Sequence, residues 1–218
     1  MRYEKKYEIP CRNIPIIINY LNLVGFKEIY NSRLVNSLYY DDANFTNYKQ
    51  SIDGLSSRTK IRARYYNFNK SAFNLEFKKK EDELNTKNYM SPSSSLIGKL
   101  IPLMGETKDN PHSGIKLPEN VMTIYYPKVL VSYLRRYFLS KNGIFRITID
   151  TKINFFKANN IKNNLLINNN RTLTQSVLEV KFLSKGFENL EEINLITNNF
   201  NLIQSKFSKY CKAVSFYF

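Results

Sequence analysis

Charged residues recur two positions apart, in segments whose opposite parity is apolar or aromatic. The sets are Glu4/Lys6, Lys60/Arg62/Arg64, Glu76/Lys78, Tyr133/Arg135, Arg146/Thr148/Asp150 and Glu179/Lys181. Successive side chains of a strand point to opposite faces, so each set occupies one face of its strand. One such strand is a solvated edge. Six of them, spread from residue 4 to residue 181, predict a sheet closed on itself with a charged inside. An interior lined mainly by Lys and Arg, with a few Glu, suits a polyanion held together with a metal ion.

The rest of the chain supports a β-rich fold. It has 16 Tyr and 15 Phe but no Trp, and such aromatics favour strands. A length of 218 residues at 43% hydrophobic composition fits one domain, 1–218, with a real core. The net charge of +15 favours an anionic partner: nucleic acid, a phosphorylated metabolite, polyphosphate or an anionic membrane surface. The sign alone does not choose among them. Cys11 and Cys211 make no disulfide framework, and reduced thiols are expected. His112, the single histidine, sits in a Pro/Gly-rich stretch, so a His/Cys zinc site is excluded. The longest apolar stretch, Ile14 to Val24, is broken by Asn19 and Asn22 and is too short to span a bilayer. With no apolar leader, the expectation is a soluble cytoplasmic protein.

Local signals give an order of elements. Residues 2–9 alternate as a strand. Asn13 and Pro15 start a helix that Gly25 stops, with Ile16, Ile17, Tyr20, Leu21 and Val24 on its apolar face. Strands follow at 33–40, 57–66 and 72–80, the last two as a hairpin across Asn67 to Lys70, with a turn or short helix at 44–50. A further strand begins near Lys87. A helix is expected over 93–104 and a loop over 105–120. Strands return at 128–139, 144–150, 153–157 and 176–183, with an Asn-rich loop at 159–170. Residues 188–200 form an amphipathic helix with Leu190, Ile193, Ile196 and Phe200 inward, and 206–217 close the chain in a strand. The fold class is mainly antiparallel β with packing helices.

Each charged set has a plain reading beside a functional one. Arg62 and Arg64 form two guanidinium forks suited to phosphate oxygens, or a solvated strand face. Glu179 lies among Val177, Leu178, Val180 and Phe182, where a carboxylate needs a cation; a Lys or Arg salt bridge and a divalent metal both serve. Tyr133 and Arg135 share a face, which places Arg135 inside. Arg146 is the better ligand, while Asp150, near a strand end, reads as a turn former. Ser208-Lys209 could be a nucleophile and its base, but no oxyanion motif accompanies it, and phosphate contact fits better. There is no P-loop, GxGxxG or kinase signature.

In order along the chain, Glu4-Lys5-Lys6-Tyr7, Ser37-Leu38-Tyr39-Tyr40-Asp41, Arg62-Ala63-Arg64-Tyr65-Tyr66, Leu75-Glu76-Phe77-Lys78, Tyr133-Leu134-Arg135, Phe145-Arg146-Ile147-Thr148-Ile149-Asp150, Val177-Leu178-Glu179-Val180-Lys181 and Phe207-Ser208-Lys209-Tyr210 resemble the polyphosphate polymerase (VTC) domain of vacuolar transporter chaperone proteins. That domain belongs to the triphosphate tunnel metalloenzymes, the CYTH superfamily. The resemblance implies a tunnel-type β-barrel and a metal-dependent polymerase that moves the γ-phosphate of ATP onto polyphosphate and releases ADP. It implies triphosphate and polyphosphate contacts from Lys6, Arg62, Arg64, Lys78, Lys87, Tyr133, Arg135, Arg146, Lys181, Ser208 and Lys209, of which Arg62, Arg64 and Lys209 carry the transfer. It implies Mn²⁺ or Mg²⁺ on Glu179, with Glu4 and Glu76 as further ligands.

ATP and polyphosphate are thus the expected partners in place of nucleic acid, and the basic surface leaves room for recruitment to a membrane or membrane protein. The alternatives are a metal-dependent triphosphatase acting on inorganic triphosphate, nucleotides or an RNA 5′ end, and a non-catalytic polyphosphate- or RNA-binding module. Hydrolytic tunnel enzymes open with Glu-x-Glu-x-Lys, where this chain has Arg2-x-Glu4-x-Lys6. One acidic position is basic, which favours the polymerase branch.

Overall fold

Alternation read from the sequence becomes strands wherever one parity can be buried. The computed structural model describes residues 2–67, 69–81, 84–90, 115–117, 120–158, 161–162, 165–166 and 171–218. Its strands are β1 (Arg2–Pro10), β2 (Lys27–Asp41), β3 (Arg58–Tyr66), β4 (Asn69–Glu81), β5 (Leu84–Met90), β6 (Ile115–Leu117), β7 (Asn120–Leu139), β8 (Arg146–Lys157), β9 (Ile161–Lys162), β10 (Leu165–Leu166), β11 (Arg171–Thr172) and β12 (Gln175–Leu183). The helices are α1 (Ile14–Leu23), α2 (Thr46–Ile52), α3 (Leu190–Asn199) and α4 (Lys209–Tyr217).

Among the described residues the main sheet runs β1-β12-β8-β7-β2-β3-β4-β5, with β11 on β8 and β6 on β7. The registers of β1–β12, β12–β8, β2–β3, β3–β4 and β4–β5 are all antiparallel. The pairing path has two ends, β1 and β5, so the closure expected from the sequence is not observed among these residues.

The chain divides into two compact units. The first comprises Met1–Leu34, Tyr133–Ile153 and Thr172–Phe207. Its core joins Tyr7 and Ile9 of β1, Ile147 and Ile149 of β8, and Leu178, Val180 and Phe182 of β12 to Ile17 and Leu21 of α1 and Ile193 and Ile196 of α3. Fully burying each such side chain contributes about 1.5–3 kcal/mol. α1 buries Ile14, Ile17, Ile18 and Leu21, one stripe at helical spacing. Ile16 and Val24, expected inward, are exposed. The isoleucine run offers two stripes, and packing selects the one that starts at Ile14. Gly25 takes φ +92°, open to glycine at little cost, and ends the helix. Leu190, Ile193, Ile196 and Phe200 of the α3 region do pack inward.

The second unit comprises Val35–Ser132, Asn154–Arg171 and Ser208–Phe218. Its core holds Leu38 and Tyr40 of β2, Ile61, Ala63 and Tyr65 of β3, Phe73, Leu75 and Phe77 of β4, with Leu130 and Phe156. Those on β3 and β4 are the opposite parity to the charged sets there, as the alternation predicts. The β3–β4 hairpin forms where expected.

Four expectations change. Residues 206–217 are not a strand: α4 covers Lys209–Tyr217, buries Tyr210, Cys211, Ala213 and Val214, and is capped by the Ser208 hydroxyl, which accepts from Cys211 N at 3.3 Å. A serine cap before a stripe of this spacing outweighs the β propensity of Tyr, Val and Phe. The segments 144–150 and 153–157 are one strand, β8, which continues through Lys152 at φ +50°. Asp150 lies inside that strand and is no turn former. Part of the loop expected over 105–120 is strand, since β6 pairs with β7. The helix expected over 93–104, His112 and most of 159–170 lie outside the described residues.

Candidate functional site

Residues directly opposed in neighbouring strands share a face, so the registers put the charged sets into rows. In the first unit one row is Glu4 on β1, Lys181 on β12 and Arg146 on β8, and the next is Lys6, Glu179 and Thr148. Lys6 Nζ lies 2.9 Å from Glu4 Oε1 and donates to the carbonyl of Phe207 at 3.3 Å. Lys181 contacts both acids, Glu179 closely and Glu4 Oε2 at 3.9 Å. Glu179 and Thr148 are buried, whereas Arg146 is exposed.

On β7, Tyr133 is buried beneath Arg135, whose guanidinium lies 5.2 Å from the ring centroid. Arg135 grips Asp150 with both arms, Nε to Oδ1 at 2.5 Å and Nη2 to Oδ2 at 2.7 Å. Burial works against the charge on Arg135, but Asp150, Tyr133 and Glu179 outweigh it and hold its pKa well above the usual value. The sequence reading placed Arg135 on the charged face and missed this counter-ion.

In the second unit, Tyr39 on β2, Arg62 on β3 and Glu76 on β4 form one row, flanked by Ser37–Arg64–Asn74 and by Lys60–Lys78; the register partners of Lys78 and Glu76 on β5 are Lys87 and Tyr89. Arg62 Nε donates to Glu76 Oε2 at 2.6 Å, and Arg64 Nη1 stands 3.8 Å from Glu76 Oε1. Glu76 is therefore a buried counter-ion shared by two arginines. Arg62 Nη1 meets the Tyr39 hydroxyl at 3.1 Å, and Arg64 Nε donates to Ser37 Oγ at 3.1 Å. Lys60 Nζ donates to Ser208 Oγ at 2.9 Å. Lys78 is half-buried. Burial pushes the Tyr39 phenol up, but Arg62, Arg64 and Lys209 overcome this and bring it down to about 8. A tyrosine so shifted reports a strongly positive surrounding.

On the same parity of β2 as Tyr39 lies a buried acid that the sequence reading did not single out. Asp41 is fully buried and accepts the backbone N–H groups of Asp42, Asn47 and Tyr48 at 2.9–3.0 Å. It also accepts the Tyr210 hydroxyl. Burial pushes the Asp41 carboxyl up, against the pull of these hydrogen bonds. The available signal was Asp41-Asp42 ahead of a helix start, with Tyr39 two residues earlier on the parity of Ser37.

The two units differ in charge balance. The face carrying Arg62 sets Lys60, Arg62, Arg64, Lys78 and Lys209 against Glu76, while the face carrying Glu179 pairs its cations with Glu4, Glu179 and Asp150. Among the described residues no group of three His, Cys, Asp or Glu side chains comes together. A Mg²⁺ or Mn²⁺ ion still fits Glu4 and Glu179, because such ions take one or two carboxylates and complete their shell with substrate phosphate and water. The Lys181 ammonium that touches both carboxylates already shows that they accept a shared cation.

The family model of the VTC domain matches residues 1–218. The chain belongs to the VTC domain family. No curated protein matches it. Among solved structures, a candidate adenylate cyclase from Vibrio parahaemolyticus is 14% identical, with 98% of this chain and 97% of that one covered at a TM-score of 0.55. One from Bacillus halodurans is 13% identical over 95% and 94%, with a TM-score of 0.57. A candidate adenylyl cyclase from Hippeastrum, described as having a dominant triphosphatase activity, is 13% identical over 99% and 96%, with a TM-score of 0.52. At such identities the likeness is one of fold. It agrees with the VTC-like antiparallel architecture read from the sequence. Among the described residues no helix is long and apolar enough to cross a membrane.

Proposed function

We propose that this VTC domain is a polyphosphate polymerase that transfers the γ-phosphate of ATP to the end of an inorganic polyphosphate chain and releases ADP. The observation that carries the reading is the cationic face of the second unit, where five basic side chains stand against one glutamate already held by two of them. Such a face favours several phosphates at once, and membership of the VTC domain family supports the reading.

The terminal phosphate oxygen of the acceptor attacks the γ-phosphorus. The bond to the β–γ bridging oxygen breaks and its electron pair leaves with ADP. No protein nucleophile takes part. Arg62 and Arg64 neutralise the donor triphosphate and keep it in line with the acceptor, and Lys209 stabilises the charge on the transferring group. Lys78, Lys87 and Ser208 complete the phosphate contacts proposed for that face; Lys6, Tyr133, Arg135, Arg146 and Lys181 are the phosphate contacts proposed for the first unit. Mg²⁺ or Mn²⁺ on Glu179 and Glu4 would neutralise phosphate charge. We place the tunnel-type closure of the sheet in the same proposal.

A triphosphatase is the second reading, favoured by the description of the Hippeastrum protein. Two carboxylates, one beside a lysine that bridges to the other, make a poor frame for an attacking water. An incubation with ATP, Mn²⁺ and a short polyphosphate primer tests the choice. ADP accompanied by longer polymer is expected, and free phosphate without polymer overturns the proposal.

A further inference from the structure

The cationic face of the second unit depends on a helix that carries part of it. α4 begins with Ser208 at its cap and Lys209 in its first turn. The next residue, Tyr210, is buried and donates its hydroxyl to fully buried Asp41. The Tyr210 ring stacks on Tyr39, with centroids 5.2 Å apart and planes 23° apart, and Tyr48 meets it edge-on. Tyr39 in turn touches Arg62 through its hydroxyl, and Lys60 donates to the capping Ser208.

Asp41 is itself immobilised, since the N–H groups of Asn47 and Tyr48 at the start of α2 hold its two oxygens. A continuous path of hydrogen bonds and stacked rings thus runs from α2 through Asp41, Tyr210 and Tyr39 to Arg62, and through the adjoining residues to Lys209. The opposite end of α4 is tied separately, by the Tyr217 hydroxyl donating to the carbonyl of Phe155 at 2.6 Å.

We infer that Tyr210, anchored on Asp41, is a positioning residue that fixes Lys209 and Arg62 relative to one another for binding a triphosphate group. This rests on the phosphate-binding reading of the face and extends it to side chains that never touch the ligand. A buried phenol is suited to the task. It has two side-chain torsions to order, and its ring keeps the stack while its hydroxyl fixes the depth of the helix.

The test is a double-mutant cycle read by equilibrium binding of inorganic triphosphate to the full chain. Tyr210→Phe keeps the ring and loses the anchor. It should weaken binding about tenfold, the scale of one hydrogen bond to a charged group. In a Lys209→Ala background the same change should cost less, because one of the two groups it holds in register is gone. Tyr39→Phe, which leaves both the stack and α4 in place, should weaken binding through Arg62. Tyr217→Phe, which removes a hydrogen bond from the other end of the helix, should leave binding unchanged.

Equal losses for Tyr210→Phe in both backgrounds, or an equal loss for Tyr217→Phe, would mean helix stability alone and overturn the inference. So would unchanged affinity in Tyr210→Phe. A wild-type chain that does not bind inorganic triphosphate would overturn the underlying functional reading as well, so the two failures are told apart.

Discussion

Single residues decide whether the cationic face is used. Arg62 is tied to Glu76 and Tyr39 at once. On the proposed reading, Arg62→Ala removes a phosphate contact, and it takes from buried Glu76 the nearer of its two arginines. A charge-assisted hydrogen bond contributes about 1.5–3 kcal/mol, so turnover with ATP should fall at least about tenfold, measured as kcat/KM. Glu179→Gln keeps the shape of a buried side chain and removes its charge. The expected outcome is loss of Mn²⁺-dependent turnover with an unchanged circular dichroism spectrum; a normal Mn²⁺ titration would remove Glu179 from the metal site.

Tyr39 gives a pH signature. Its folded pKa of about 8 lies below the usual 10. Below pH 8 the phenol is protonated in both folded and unfolded chains and contributes nothing. As pH rises from 8 to 10 the folded state ionises first, so this group adds stability that is complete above pH 10 and lost as pH falls through 8. The melting temperature of the parent relative to Tyr39→Phe should therefore rise across that window. Bound triphosphate brings negative charge to the same face and should shift the inflection upward.

At the scale of elements, ion pairs join strands more than they decorate them. Arg135 on β7 and Asp150 on β8 are almost wholly buried together. Asp150→Ala leaves a buried guanidinium without its counter-charge and should cost about 3–5 kcal/mol of stability, read from urea unfolding. Such pairing explains what the sequence could and could not disclose. The parity of Arg62, Arg64, Glu76 and Glu179 was legible because a strand alternates by geometry alone. The partner of each charge was not, since Arg135 and Asp150 meet only once strand order is known. α4 was misread because Tyr, Cys, Val and Phe favour strands, while the helix depends on Ser208 as cap and on burial of Tyr210 and Val214. The N-terminal helix was legible from Asn13, Pro15 and Gly25, but its buried stripe was set by packing among consecutive isoleucines.

For the whole molecule, the excess of 33 Lys and Arg over 18 Asp and Glu is spent unevenly. The acids of the described charged rows are engaged by cations, and the excess is most marked on the face around Arg62. Binding of inorganic triphosphate should weaken as salt rises from low to physiological ionic strength, and Lys78→Ala should flatten that dependence. The VTC frame was legible because its motifs fall in order along the whole chain, each weak alone. Closure of the sheet was not, because parity fixes faces and says nothing of whether the last strand meets the first. On the proposed mechanism the γ-phosphate goes to phosphate and not to water. The decisive measurement follows label from γ-³²P-ATP in the presence of Mn²⁺ and a short polyphosphate primer. Label in lengthened polymer, in step with ADP released, is expected; label recovered as free phosphate, with primer length unchanged, would rule out the polymerase.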